Sequence, residues 1–346
     1  MSFPLPKPQT PQLPQHLLRT IDCQQGAVRA VRFNVDGQYL LSCGGDKSLK
    51  LWSGSRGTLL KTYSGHGYEV LDADGSFDNS NICSCSSDKT VILWDVATGQ
   101  VARKLRGHAG KVNCVQFNEE ATVILSGSLD GTVRCWDTRS RKNEPIQVLD
   151  EARDSVSSLK VSKHEILTGS VDGRVRRYDL RMGQLHVDFL NSQTSLFSCS
   201  SAWVVLSLCV CVFWSGPITC VCFSQDGQCT LSSSLDSTVR LLDKSTGEML
   251  GEYTGHTMKG YKLECCLSSK DTHVLSCSED GHVYFWDLVE GCLSWKLPVG
   301  KAVVQSLSFH PTQTRLLTAS ESRIQVWAAE LEDPDKNDDD NVTMAM

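Results

Sequence analysis

The residues of this chain that can do chemistry are nine histidines, sixteen cysteines and a row of evenly spaced acids. Most of the cysteines fall inside apolar segments, with Cys114 in VNCVQF, Cys135 in VRCWD, and Cys220 and Cys222 in ITCVCF. Pairs such as Cys83 and Cys85 stand two apart, so on a strand they share a face rather than clamp a metal, and no CxxC occurs. They read as reduced, small and mostly buried thiols, of the kind found in a cytosolic or nuclear protein. The acids are Asp46, Asp88, Asp130, Asp172, Asp236 and Asp280, with Glu321 closing the row. A ring of carboxylates around a channel would suit general acid–base work, yet each acid sits in a turn, where a structural role already accounts for it. No phosphate-binding glycine loop, HExxH, GxSxG or kinase catalytic loop is present. The sequence therefore predicts no catalytic residue, no cofactor and no metal site, and a protein that is not an enzyme.

The elements that carry these residues repeat. A small polar stretch, an acid, a few strand-like residues and then an aromatic recur as CGGDKSLKLW, CSSDKTVILWD, SGSLDGTVRCWD, TGSVDGRVRRYD, SSSLDSTVRLLD, CSEDGHVYFWD and TASESRIQVW. Successive acids are 42, 42, 42, 64, 44 and 41 residues apart, and a period near 42 is that of a four-stranded propeller blade. One such sheet cannot bury both of its apolar faces, whereas seven stacked radially bury them against each other. The prediction is an all-β, seven-bladed propeller. At this point the chain resembles the WD-repeat family, whose repeats run from Gly-His to Trp-Asp; Gly65-His66, Gly107-His108 and Gly255-His256 match the start of a repeat. The resemblance implies buried tetrads of histidine, strand hydroxyl, turn acid and tryptophan. These would be His66, Asp88 and Trp94; His108, Asp130 and Trp136; and His256, Asp280 and Trp286, with hydroxyls from Ser84 or Ser86, Ser126 or Ser128, and Ser276 or Ser278. No outer strand follows Trp327, while LLRTIDC (Leu17–Cys23) is an orphan resembling LLKTYSGH, so the N-terminal strand should close the ring.

Composition bounds the rest. The chain has 346 residues, 40% apolar and 21% charged, with a net charge of −6. Seven of its acids lie between Glu330 and Met346, leaving a neutral body without the global positive field of a nucleic-acid binder. Three parts are expected: a Pro-rich disordered lead over 1–15, a propeller over 16–328, and an acidic disordered tail over 329–346. The start, MSFPLPKPQTP, has no apolar core of a secretory signal. The 64-residue spacing holds an apolar insertion at 191–215 between blades four and five. Ala202–Trp214 is too short for a membrane span, and an uncharged apolar loop would invite aggregation. A retained intron or gene-model error is favoured over a functional insertion.

Two features remain as candidate docking sites. Arg177 interrupts an otherwise apolar column (Leu51, Leu93, Cys135, Leu241, Phe285, Val326) and stands among Arg174, Arg176 and Arg181. A guanidinium there must reach solvent or a carboxylate, or the group forms a patch for an acidic partner. WDTR and YDLR, ending at Arg139 and Arg181, resemble the box by which some propellers dock to cullin–RING ubiquitin ligase adaptors. Stretches such as SGHGYEVLDADGSFDNS and HEILTGSVDGRVRRYDLRMGQL resemble a branch of WD-repeat scaffolds. That resemblance implies a scaffold for the extracellular-signal-regulated mitogen-activated protein kinase cascade. It also implies, as an alternative, a spliceosome-associated role in pre-mRNA splicing. The expected partners are kinase-cascade or spliceosomal proteins, without direct nucleic-acid or membrane binding. The expected state is a monomer within larger complexes of the cytoplasm and nucleus.

Overall fold

A computed structural model of the chain describes residues 13–179, 184–187 and 216–330. Short runs of alternating residues cut by turns favour strands over helices. The described residues form twenty-eight strands and no helix, paired antiparallel into seven four-stranded sheets. Blade two is typical, with Val70–Gly75 innermost, then Asn81–Ser86 and Thr90–Asp95, and Val101–Arg106 outermost. Blade seven is made of Val304–Phe309, Arg315–Ser320 and Arg323–Ala328, and its outer strand is His16–Asp22 from the other end of the chain. Thr20 pairs with Gln325, Ile21 with Ile324 and Asp22 with Arg323, so the N-terminal strand closes the ring. The propeller reaches further back than residue 16: Leu13 packs on the core beside Trp327, and Pro14 is buried.

Within each blade the chain runs up and down, which sorts its connections by end. The links between blades and the turns between second and third strands share one end, called here the upper end. The turns between first and second, and between third and fourth strands, share the lower end. The acids occupy the upper turns. Asp88 accepts the Thr90 N–H at 3.0 Å and Asp130 that of Thr132 at 3.0 Å, and the residue after each acid is left-handed, Lys89 at φ 66° and Gly131 at φ 76°. A side chain that satisfies the backbone two residues on stabilises such a turn, and glycine adopts it without strain. The row of acids is a row of turns.

Six inner strands carry a bulge near their upper end, as between Val70 and Asp72 or Val112 and Cys114. Blade six lacks it, and its inner strand is only Cys265–Leu267. The core lies between blades: Leu41, Leu49 and Tyr63 of blade one meet Val70, Ile82 and Trp94 of blade two. Trp94, Trp136 and Trp286 are the largest fully buried side chains, each contributing about 4–6 kcal/mol of apolar transfer free energy. All thirteen described cysteines are free thiols, ten of them buried. No helix among the described residues is long and apolar enough to cross a membrane. The expected insertion at 191–215 lies outside the described residues.

Candidate functional site

At the upper end of blade two, His66 Nδ1 meets Asp88 Oδ2 at 3.2 Å and His66 Nε2 meets Ser84 Oγ at 2.7 Å, while Trp94 Nε1 donates to that same Oγ at 2.8 Å. Blade three repeats this with His108, Asp130, Ser126 and Trp136 at 2.9, 2.8 and 2.9 Å. The protons follow from the partners. A carboxylate only accepts, so Nδ1 carries the imidazole proton; Nε2 then accepts from the serine, which in turn accepts from the indole. Ser84 and Ser126 therefore supply the hydroxyls, not Ser86 and Ser128. Burial alone would push the Asp88 carboxyl up, but hydrogen bonds from His66, the Gly67 N–H and Thr90 outweigh it and hold the group well below the usual carboxylate range. Burial pulls the His108 imidazole down, against the opposing pull of Asp130. The glycine before each histidine leaves room for the indole: a Cβ on Gly65 would lie 2.9 Å from Trp94, and one on Gly107 would lie 2.6 Å from the Arg134 guanidinium and 3.1 Å from Trp136.

The third expected set, His256, Asp280 and Trp286, is not formed. His256 precedes its acid by 24 residues rather than the 22 of the other two, and the longer link displaces the imidazole. Asp280 Oδ2 accepts from Tyr284 at 2.8 Å and Lys296 at 2.9 Å, and Trp286 donates to the Thr254 carbonyl at 3.1 Å. His256 is left among the rings of Tyr284 and Trp286 with neither nitrogen hydrogen-bonded, and burial lowers its imidazole to about 4.

The arginine patch also needs correction. Arg176 is 1% exposed, donating to Ser170 Oγ at 2.6 Å and Asp172 Oδ2 at 2.6 Å. Here the turn acid is paired by an arginine of the third strand, not by the histidine that pairs it in blades two and three, and the guanidinium presents nothing to a partner. Arg177 turns along the seam to blade five, donating to the Lys244 carbonyl at 2.5 Å and facing Glu165 at 3.9 Å, which Lys244 also pairs at 2.9 Å. Arg174 is half-buried, with its N–H on Asp172. Arg181 lies outside the described residues. Among the described candidates, Arg139 alone projects, 76% exposed and 3.6 Å from Asp137.

The sequence reading missed the axis. Arg32 of blade one donates to Asp72 of blade two at 2.7 Å and, through two nitrogens, to Glu264 of blade six at 2.6 and 2.9 Å. Glu264 also accepts from Ser306 at 2.5 Å, and Lys262 reaches the Asn113 carbonyl at 3.0 Å, joining blade six to blade three. Burial would raise the Glu264 carboxyl, but Arg32 holds it low. These bonds brace the ring across a cavity of about 300 Å³. A charged residue in an inner strand otherwise rich in small apolar residues was the available signal. Outside this brace, large apolar side chains stand exposed at both ends: Tyr68, Leu129 and Tyr261 above, Phe77, Ile146 and Val289 below.

A rigid ring with apolar side chains at both ends defines a propeller of the protein-interaction class. The WD40 family pattern, described as WD domain, G-beta repeat, matches residues 15–53, 57–95, 99–137, 207–243, 247–287 and 294–328. The chain is 77% identical over 338 residues to WD repeat domain-containing protein 83 of Danio rerio, covering 98% of this chain and 100% of that relative. It is 69% identical over 330 residues to the protein of that name from Homo sapiens (95% and 97%). It is 30% identical over 314 residues to the homologue in Dictyostelium discoideum (89% and 97%). The chain belongs to the WD-repeat family. Residues 138–206, which the repeat pattern passes over, contain the blade whose turn acid is paired by Arg176 and whose third strand carries Tyr178 in place of the tryptophan.

Proposed function

We propose that the protein is a non-catalytic scaffold that gathers components of the extracellular-signal-regulated kinase cascade, acting as a monomer within larger cytoplasmic and nuclear complexes. The observation that carries this reading is the match along nearly the whole chain to WD repeat domain-containing protein 83. It includes stretches outside the repeat pattern that resemble scaffolds of that cascade. The mechanism is proximity: two partners held on one stiff ring meet at a high effective concentration instead of by encounter from solution. The axial brace supports this by fixing the blades relative to one another.

The test is affinity capture of the full chain from separated cytosolic and nuclear extracts, followed by reconstitution with the captured kinase and its substrate. Capture of cascade kinases, with phosphorylation rising and then falling as scaffold is added, supports the reading. Splicing factors from nuclei without kinases would replace it with the splicing role. A second reading, a substrate receptor of a cullin–RING ligase, is favoured by the exposure of Arg139 after Trp136-Asp137. Unchanged adaptor capture by both Arg139→Ala and Arg181→Ala removes it.

A further inference from the structure

Between the outer rims of blades two and three, at the upper end, lies a cleft of about 420 Å³, within the range of clefts that take small ligands. Its walls are Lys89 from the turn of blade two, Lys104 and Arg106 from that blade's outer strand, and the backbone at Gly65, Gly67 and Gly107. One acid faces it, Asp88, and that carboxylate is already engaged. Its Oδ1 accepts from Thr90 at 2.6 Å, and its Oδ2 from His66 and from the Gly67 N–H at 2.9 Å. Lys104 is anchored by the Gly65 carbonyl at 3.1 Å and stands 3.6 Å from Asp88. Lys89 and Arg106 are exposed, and among the described residues no carboxylate pairs with either. The third cation therefore goes uncompensated together with the second, a surplus of two positive charges over the one acid. Gly65, Gly67 and Gly107 expose backbone at its edge.

We propose that this cleft docks a phosphorylated serine or threonine of a partner protein. A phosphomonoester carries close to two negative charges at neutral pH, which matches the surplus, and its three oxygens suit two ammonium groups and a guanidinium drawn from one turn and one strand. A single carboxylate would balance only half of it. The site lies on the rim, away from the axial cavity, and it stands whether or not the partner belongs to a kinase cascade.

The test uses the full-length chain and degenerate peptides with a fixed central phosphothreonine, alongside the same peptides carrying threonine or glutamate. A twenty-nucleotide polyuridine strand and a synthetic peptide of residues 331–346 are the further probes. The expected result is retention of the phosphorylated peptides, at least tenfold weaker in Lys89→Glu/Arg106→Glu and in Arg106→Glu alone. Retention should fall as salt is raised, with thermal midpoints of the variants unchanged. Equal retention of phosphorylated and unmodified peptides overturns the proposal, as does equal binding by wild type and the variants. Preference for glutamate peptides, polyuridine or the acidic 331–346 segment also overturns it.

Discussion

Three serines at equivalent places in their blades should differ sharply on removal. Ser84 Oγ is the acceptor for Trp94 Nε1 at 2.8 Å and the donor to His66 Nε2 at 2.7 Å. Ser84→Ala leaves both groups buried without partners, and each such group costs about 1–3 kcal/mol. Allowing for the desolvation the missing hydroxyl no longer suffers, we expect a loss of about 2–4 kcal/mol, and the same for Ser126→Ala. Ser276 stands four residues before its acid like the other two, but its hydroxyl reaches only the Cys277 carbonyl at 3.1 Å, while Trp286 and His256 do not use it. Ser276→Ala should cost less than about 1 kcal/mol. The assay is the urea midpoint at constant slope, with Trp94→Phe as a second background in which the cost of Ser84→Ala falls by about half. Equal costs at Ser84 and Ser276, or no coupling to Trp94, would refute the proton arrangement derived above.

Other outcomes follow from the same geometry. His256 has a folded value of about 4 against 6.5 free, so the unfolded chain takes up its proton first and stability falls as pH drops from 6.5 towards 4. His256→Leu should remove about 3 kcal/mol of that acid dependence in denaturation curves, and a curve parallel to wild type counts against it. Arg176→Ala leaves Asp172 half-buried and unpaired and should cost about 3–5 kcal/mol, whereas the exposed Arg139→Ala should change the midpoint by less than about 0.5 kcal/mol. Arg32→Met strands Asp72 and Glu264 at the axis and should cost about 3–5 kcal/mol, with faster hydrogen exchange in the inner strands of blades one, two and six. Unchanged exchange there would mean the brace does not stiffen the ring.

The blades were legible because each repeats the same turn chemistry, so a row of acids and aromatics marked every third strand. Ring closure was legible too, since Leu17–Cys23 had no partner nearby and blade seven lacked an outer strand. The tetrads were legible only where the link length was kept. In blade six two extra residues and a tyrosine four after the acid redirected the network, and neither shows in the identity of His256. Arg176 was misread because a run of arginines suggests a surface. The clue was its separation from Asp172, four residues, shared by Asp236 and Arg240, which pair at 2.7 Å. The axial brace joins Arg32 to Glu264, 232 residues away, and no local pattern reports such a partner.

The closing strand also sets the timing of synthesis. Asp22 and Ser322 meet at the seam from 300 positions apart, so the first strand made waits for the last. At about 5–20 residues per second that wait is on the order of 15–60 s. Throughout it, an unpaired edge strand stands clear of the ribosome with no ladder partner, while six blades assemble behind it. A nascent chain stalled anywhere before blade seven is an open ring with two sticky rims. The seam thus makes completeness of translation a condition for burying the first strand, and gives chaperones a defined window and a defined segment to hold.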